Sequence, residues 1–90
     1  MVAICRLYEI RELALFGSVL RDDFTSESDV DVLYELGATS SIRSLFDLGR
    51  LVSDLEELLG CRIDVANKQR LYPVLREEIL STRRVIYAET

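Results

Sequence analysis

Residues 15–21 read LFGSVLR, and residues 28–33, a little further along the chain, read SDVDVL. In the first stretch Gly17 directly follows the compact apolar run of residues 13–16. A short apolar run that stops at a glycine predicts a buried strand followed by a sharp turn. We expect residues 18–20 to begin a helical turn, so that its outward-pointing N–H groups lie at the end of the strand.

The second stretch begins a strand that alternates over residues 29–36. Val30 and Val32 fall on one parity, and Asp29 and Asp31 fall on the other. Because strand side chains alternate, the valines are predicted to face a core, while the two carboxylates share the opposite face roughly 6.5–7 Å apart. Aspartate has poor strand propensity, so two on one face are unusual, and the alternative is a solvent-facing strand with acidic outer residues.

Periodicity and helix-breaking residues divide the rest of the chain. After Ser44 apolar residues recur at helical spacing, and the distance from Ser44 to Asp47 resembles a capping box. Gly60 is expected to end this helix. The other predicted elements are a helix at residues 2–8, polar loops at 21–28 and 37–43, a strand at 61–66, a helix from Pro73 to about residue 80 and an edge strand at 85–88.

This order of elements predicts an α/β (α+β) fold, a small mixed sheet flanked by helices. The chain has 90 residues, of which 49% are hydrophobic, and it contains no linker, repeat or low-complexity tract. We therefore expect one domain over residues 1–90. Leu45, Phe46 and Leu48 make the long helix more apolar than one small sheet needs. Core packing is the favoured explanation, and a homo- or hetero-oligomer contact is the alternative.

Composition limits the chemistry that the chain can perform. The net charge is −5 and no basic stripe is present, which argues against binding to nucleic acid. The chain has no histidine, so any metal site must use oxygen ligands, which favours Mg²⁺, Mn²⁺ or Ca²⁺. Cys5 and Cys61 are expected to be buried free thiols. Without a signal peptide or an apolar run of membrane length, the expected location is the cytoplasm.

Asp64 is a third carboxylate within an apolar strand. If that strand lies beside residues 29–36, the carboxylates of Asp29, Asp31 and Asp64 meet on one face. Three clustered carboxylates repel one another, and a divalent cation removes that cost. The alternative is an edge-strand aspartate paired with Arg62 or another arginine.

The turn at residues 17–18 complements these carboxylates. A glycine at this point lets a ligand approach the backbone closely, and the N–H groups of such a turn cradle phosphate oxygens. Ser18 adds a hydroxyl at the same position. The alternative is an ordinary turn at the end of a strand.

Together these residues can perform nucleotidyl transfer with two Mg²⁺ ions. We expect Asp29 and Asp31 to hold the nucleotide-bound ion. Asp31 and Asp64 would hold a second ion that activates an acceptor hydroxyl, and Asp64 is also the candidate proton acceptor. Gly17 and Ser18 would hold the β- and γ-phosphates, which leave as pyrophosphate.

The sequence GS at residues 17–18, ten further residues and DVD at residues 29–31 resemble the signature of the DNA polymerase β-type nucleotidyltransferase superfamily. The two longer stretches quoted first are similar to its smallest branch, the MNT-type minimal nucleotidyltransferases. The similarity extends over residues 44–60, Asp64 as third carboxylate and the final helix, so it covers nearly the whole chain.

The resemblance implies a mixed sheet flanked by helices and Mg-ATP as the donor. It also implies a HEPN-type toxin as partner, for which this chain acts as antitoxin by binding or by transferring AMP to a tyrosine hydroxyl. Arg21 matches a frequently basic position that contacts phosphate, and its alternative is a salt bridge to Asp22 or Asp23. Asp22 stands where many relatives have glycine.

Two other functions compete with an active protein adenylyltransferase. The first is a non-catalytic antitoxin that neutralises its partner by occlusion and keeps a vestigial nucleotide site. The second is a transferase for small molecules such as aminoglycosides, which needs more substrate-binding structure than 90 residues provide. The presence of the glycine turn and all three aspartates favours the active enzyme.

Overall fold

A computed structural model describes residues 1–20 and 29–89 of the chain. In these ranges the chain forms strands, α-helices and two short 3-10 turns. The elements are α1 (Val2–Leu7), β1 (Ile10–Phe16), the Gly17 turn (Gly17–Leu20), β2 (Val30–Leu36), α2 (Leu45–Leu59), β3 (Ile63–Asn67), the Lys68 turn (Lys68–Arg70), α3 (Pro73–Thr82) and β4 (Arg84–Ala88).

The four strands form a mixed sheet in the order β3-β2-β1-β4. β1 is antiparallel to both β2 and β4, whereas β2 and β3 are parallel and are joined through α2. A parallel pair needs a crossover connection, and α2 supplies it. The predicted mixed sheet flanked by helices is therefore confirmed, including β4 as an edge strand.

One face of the sheet packs against α1 and α2. Val30 and Val32 face this core, as their parity predicts, and Leu51 and Leu55 of α2 contact it with no exposed surface. Tyr8, at the end of α1, donates a hydrogen bond of 2.6 Å from its hydroxyl to Asp54 Oδ2 of α2. The buried core consists of Cys5, Ile10, Leu13, Val30, Val32, Tyr34, Leu51, Leu55 and Ile63.

The opposite face is also covered, which parity alone does not predict. Ala14 and Leu33 pair across β1 and β2 on this face, and both are buried. The chain from the Lys68 turn to the end of α3 lies on the same face, because Lys68 and Arg83 both contact Glu12 of β1. This face therefore has a buried apolar middle with polar groups at its two ends.

The predicted ends of α2 are confirmed. Ser44 Oγ accepts a hydrogen bond of 3.3 Å from the backbone N–H of Asp47, which satisfies a free donor at the helix start. The Asp47 carboxylate accepts the N–H of Arg43 at 3.0 Å, instead of the N–H of Ser44 as in a full capping box. Gly60 ends the helix in the left-handed conformation, with φ of 69°.

Two predictions about burial are wrong. Leu45 and Phe46 are 85% and 87% exposed, so they do not pack in the core, although Leu48 does contact it. They lie on the first turn of α2, ahead of its buried residues Leu51 and Leu55. Cys5 is buried as expected, but Cys61 is exposed because it lies in the link between α2 and β3. Within the described ranges no helix is long and apolar enough to cross a membrane.

Candidate active site at the end of β1 and β2

The Gly17 turn lies against the carboxylate of Asp31. Phe16 and Asp31 are cross-strand partners at the end of the β1–β2 pair, so the chain turns at Gly17 directly beside Asp31. Gly17 has φ of +74°, and a Cβ there would overlap Asp31 Oδ2 and lie 3.1 Å from its Cγ. Only glycine therefore fits this position, both for its conformation and for its closeness to the carboxylate.

Asp31 and Asp64 are brought together by the parallel pairing of β2 and β3. They are register partners, so both side chains leave the same face of adjacent strands, about 4.8 Å apart at the backbone. Asp31 is half-buried and Asp64 is exposed. The predicted neighbourhood of these two aspartates is therefore present.

Asp29 precedes β2 and lies beside Arg62. Its Oδ1 is 3.7 Å from Arg62 Nε, and the Arg62 carbonyl accepts the N–H of Val30 at 3.0 Å. The pair is open to solvent, with side chains 44% exposed for Asp29 and 85% for Arg62. Arg62 thus contacts Asp29. The alternative considered for the third carboxylate was a contact between Arg62 and Asp64.

The three predicted carboxylates are not gathered into one tight cluster. In residues 1–20 and 29–89 no three acidic, histidine or cysteine side chains lie close enough together to hold a metal ion. Asp31 and Asp64 share one face, while Asp29 is turned to Arg62. The side chain of Ser18 and the whole of Arg21 lie outside the described part of the chain, and so do the roles expected of them.

A cleft of about 510 Å³ opens beside Gly17 and Asp31. Its far side is formed by α3. The sequence patterns did not predict that this helix belongs to the site. The cleft combines apolar side chains with two carboxylates, those of Asp31 and Glu78, and small-ligand sites also combine apolar surface with a few polar groups. Its lining residues are Phe16, Gly17, Leu20, Asp31, Glu78, Ile79 and Thr82.

A second group of charges lies at the other end of the same sheet face. Lys68 Nζ is 3.0 Å from Glu12 Oε1 and 3.4 Å from Glu35 Oε1, and Arg83 Nε is 2.7 Å from Glu12 Oε2. Burial raises the pKa of Glu12, but the hydrogen bonds and charges of Arg83 and Lys68 outweigh it, so this pKa lies below its ordinary value. No sequence motif indicated these contacts.

A glycine turn held against two paired aspartates fits the chemistry of phosphoryl or nucleotidyl transfer. The family model of the nucleotidyltransferase domain matches residues 3–86, and the chain belongs to this family. The predicted nucleotidyltransferase is therefore confirmed at the level of the family.

Two curated relatives extend over most of the chain. A protein of Methanocaldococcus jannaschii, provisionally named a protein adenylyltransferase, is 35% identical over 90% of this chain and 84% of its own length. The protein adenylyltransferase MntA of Thermococcus cleftensis is 35% identical over 89% of this chain and 76% of its own length.

Solved structures share the same fold. A structure provisionally described as a minimal nucleotidyltransferase is 34% identical, with a TM-score of 0.73 over 96% of this chain and 83% of that one. The resemblance to minimal nucleotidyltransferases is thus confirmed. A toxin–antitoxin structure with AMP-PNP matches with a TM-score of 0.74 over 99% of this chain and 71% of that one; at 16% identity this likeness concerns the fold alone.

Proposed function

We propose that this chain is a Mg²⁺-dependent protein adenylyltransferase and an antitoxin. It transfers AMP from ATP to a tyrosine hydroxyl of a HEPN-type toxin and thereby neutralises the toxin. The observation that carries the proposal is the close approach of Gly17 to Asp31, with Asp64 as its neighbour on β3. The proposed compartment is the cytoplasm, where ATP and Mg²⁺ are available.

The residues at this end of the sheet fit Mg²⁺. The donors are carboxylate oxygens, which Mg²⁺ prefers, and the chain has no histidine that would favour a softer metal. The missing Cβ at Gly17 lets the Asp31 carboxylate lie directly against the turn, where a larger residue would displace it. Asp29 is the third proposed carboxylate ligand. Its contact with Arg62 is an exposed ion pair, which contributes little stability and is readily exchanged for a divalent ion.

In this proposal Asp29, Asp31 and Asp64 hold the metal ions, two when the donor and acceptor are both bound. When bound, these ions neutralise the triphosphate and lower the pKa of the acceptor hydroxyl. Gly17 and Ser18 hold the β- and γ-phosphates through the turn, and Arg21 neutralises phosphate charge.

Asp64 is the proposed proton acceptor of the reaction. It is exposed, so a hydroxyl on another protein can approach it, whereas Asp31 is half-buried beneath the Gly17 turn. The tyrosine oxygen forms a bond to the α-phosphorus, the bond from that phosphorus to the oxygen bridging to the β-phosphate breaks, and the tyrosine proton passes to Asp64. The products are AMP-tyrosine and pyrophosphate.

The names of similar proteins support both parts of the proposal. The relative from Thermococcus cleftensis is named a protein adenylyltransferase and is 35% identical to this chain over 80 aligned residues. A structure with the same fold holds a tri-AMPylated HEPN toxin of Shewanella oneidensis in complex with an MNT antitoxin, at 16% identity and a TM-score of 0.66 over 98% of this chain and 66% of that one. The competing function is an antitoxin that acts only by binding.

The test is intact mass spectrometry of a HEPN-type partner that co-purifies with this chain, after ATP and Mg²⁺ are added. Wild type is compared with the double variant Asp29→Asn/Asp31→Asn. The matched control is Glu57→Gln/Glu77→Gln, which removes the same charge from exposed helix positions.

We expect the partner to gain one or more AMP units with wild type and with the control, and none with the aspartate variant. If the partner binds every form tightly and gains no mass with any, catalysis is ruled out for that partner, and the binding antitoxin takes its place.

A further inference from the structure

Two glutamates face each other across β1 and β2. Glu12 and Glu35 are register partners, and their side chains are only 13% and 18% exposed. Like charges directly opposite each other destabilise a strand pair unless a cation separates them. Lys68 contacts both carboxylates, and Arg83 contacts the second oxygen of Glu12, so two cations balance two anions.

Both cations belong to the segment that carries α3. Lys68 lies before the helix, and its carbonyl accepts a hydrogen bond of 2.7 Å from Arg76 Nη1 in the first half of α3. Arg83 follows the helix directly, and its guanidinium also donates to the carbonyl of Leu80 in the last turn. The charges around Glu12 therefore attach both ends of α3 to the sheet.

Apolar packing holds α3 only weakly. The helix has no buried residue, and only Ile79 and Leu80 of its ten residues are half-buried. By contrast α2 places Leu51 and Leu55 fully in the core. Charged groups that are largely buried add little net stability but can specify one arrangement. The position of α3 on the sheet thus depends on the contacts of Glu12 more than on its own apolar surface.

The same helix forms the far side of the cleft over Asp31. Glu78, Ile79 and Thr82 line that cleft opposite Gly17 and Asp31, at the end of the sheet face away from Glu12. A helix that is displaced or loosened would open this side and remove the apolar surface of Ile79 from the cleft. Nothing else in the described chain lines the cleft from that side.

We infer that Glu12 is a positioning residue for the nucleotide cleft: through Lys68 and Arg83 it holds α3 over the Gly17–Asp31 end of the sheet, so that the nucleoside of the donor binds against α3. The nucleotide part of this inference rests on the proposed function. The attachment of α3 does not, because it follows from the contacts alone.

The test joins two measurements on the variant Glu12→Gln, with Glu57→Gln as the control at an exposed glutamate. Hydrogen exchange is followed at the α3 amides, and the Kd of α,β-methylene-ATP with Mg²⁺, a donor analogue that cannot be transferred, is measured by calorimetry. We expect α3 exchange to accelerate and the Kd to rise, each by roughly tenfold, as for the loss of a hydrogen bond to a charged group. The control should match wild type in both.

A second pair of variants keeps the test decisive if Glu12→Gln does not fold. Arg83→Met keeps the apolar stem and removes the contact with Glu12, whereas Arg83→Lys keeps the charge. We expect the methionine variant to weaken nucleotide binding and the lysine variant to restore most of it. A role in stability alone would lower Tm without this difference in Kd.

The outcomes separate the inference from the proposed function. Unchanged α3 exchange in both Glu12→Gln and Arg83→Met overturns the inference, and so does faster exchange with an unchanged Kd. If wild type binds no nucleotide, the proposed function fails, and the attachment of α3 to Glu12 is then decided by the exchange rates alone.

Discussion

Gly17 is subject to two separate constraints. Its φ of +74° is unfavourable for any residue with a Cβ, and a Cβ there would also overlap the Asp31 carboxylate. We predict that Gly17→Ala loses nucleotidyl transfer because Asp31 is displaced from its position. The free energy of unfolding should fall by more than the ~1–2 kcal/mol that left-handed backbone alone costs alanine. Chemical denaturation and the transfer assay measure the two effects.

Two other glycines separate these constraints. Gly60 also has a positive φ, but a Cβ there would meet nothing within 4 Å, so Gly60→Ala should show the conformational cost alone. Gly49 lies inside α2 in open space, and Gly49→Ala should stabilise the chain by roughly 0.5–1 kcal/mol. If Gly17→Ala and Gly60→Ala lower the free energy of unfolding equally and both retain nucleotidyl transfer, the contact of Gly17 with Asp31 has no functional importance.

The two cysteines should differ strongly in reactivity. Cys61 is exposed, whereas Cys5 is buried, and burial raises the pKa of the Cys5 thiol, an effect that the nearby N-terminal ammonium partly offsets. Because the thiolate is the reactive form, we predict one fast thiol and one that reacts only when the chain unfolds. Kinetics with a chromogenic disulfide reagent measure this, and in Cys61→Ser the fast phase should vanish. Two equally fast thiols would mean that α1 does not hold Cys5 against the core.

At the scale of the elements, α2 shows that periodicity does not report burial along a whole helix. Leu55 has no exposed surface, whereas Phe46 is 87% exposed. We predict that Leu55→Ala lowers the free energy of unfolding by about 2–5 kcal/mol. Phe46→Ala should change it by less than about 0.5 kcal/mol, as surface changes do. Urea denaturation of the two variants gives the comparison, and a similar loss in both would mean that Phe46 packs against the protein.

The ends of α2 could be predicted, but the exposure of its first turn could not. Ser44 and Gly60 act through their own backbone neighbours, so the residue type at the position is sufficient to mark the helix ends. Leu45 and Phe46 are exposed on the first turn, and which turns of a helix reach the core depends on tertiary packing that periodicity does not give. Likewise β1 begins at Ile10, before the predicted residue 13, and the partners that neutralise Glu12 in this strand lie far away in the sequence.

At the scale of the whole molecule, the sequence predicted the part of the site that lies on paired strands. Asp31 and Asp64 became neighbours because the strand–helix–strand order leads to parallel pairing, a rule that needs only element order. The cleft side formed by α3 was missed, since Ile79 and Thr82 carry no motif and approach Asp31 only through tertiary packing. The orientation of Asp29 toward Arg62 also depends on side-chain geometry that spacing does not give.

The charges around Glu12 also predict how the stability of the molecule depends on pH. The contacts of Arg83 and Lys68 hold the pKa of Glu12 below its ordinary value of 4.5, despite the opposing effect of burial. A carboxyl whose pKa is lower in the folded than in the unfolded state stabilises the folded state fully at pH values above its unfolded-state pKa. This contribution is lost as the pH falls through the folded-state pKa. Glu12→Gln should therefore lower the free energy of unfolding by about 2 kcal/mol at pH 7.

This difference between wild type and Glu12→Gln should shrink as the pH falls from 4.5 through the lower pKa of folded Glu12, where the wild-type side chain becomes protonated and neutral like the glutamine. Urea denaturation across that range measures it, with Glu57→Gln, an exposed glutamate of α2, expected to differ little from wild type at every pH. A difference that stays constant with pH would mean that glutamine fails through its shape and not its charge. In that case the two cations would not depend on the ionised carboxylate to hold α3, and other contacts would have to fix that side of the cleft.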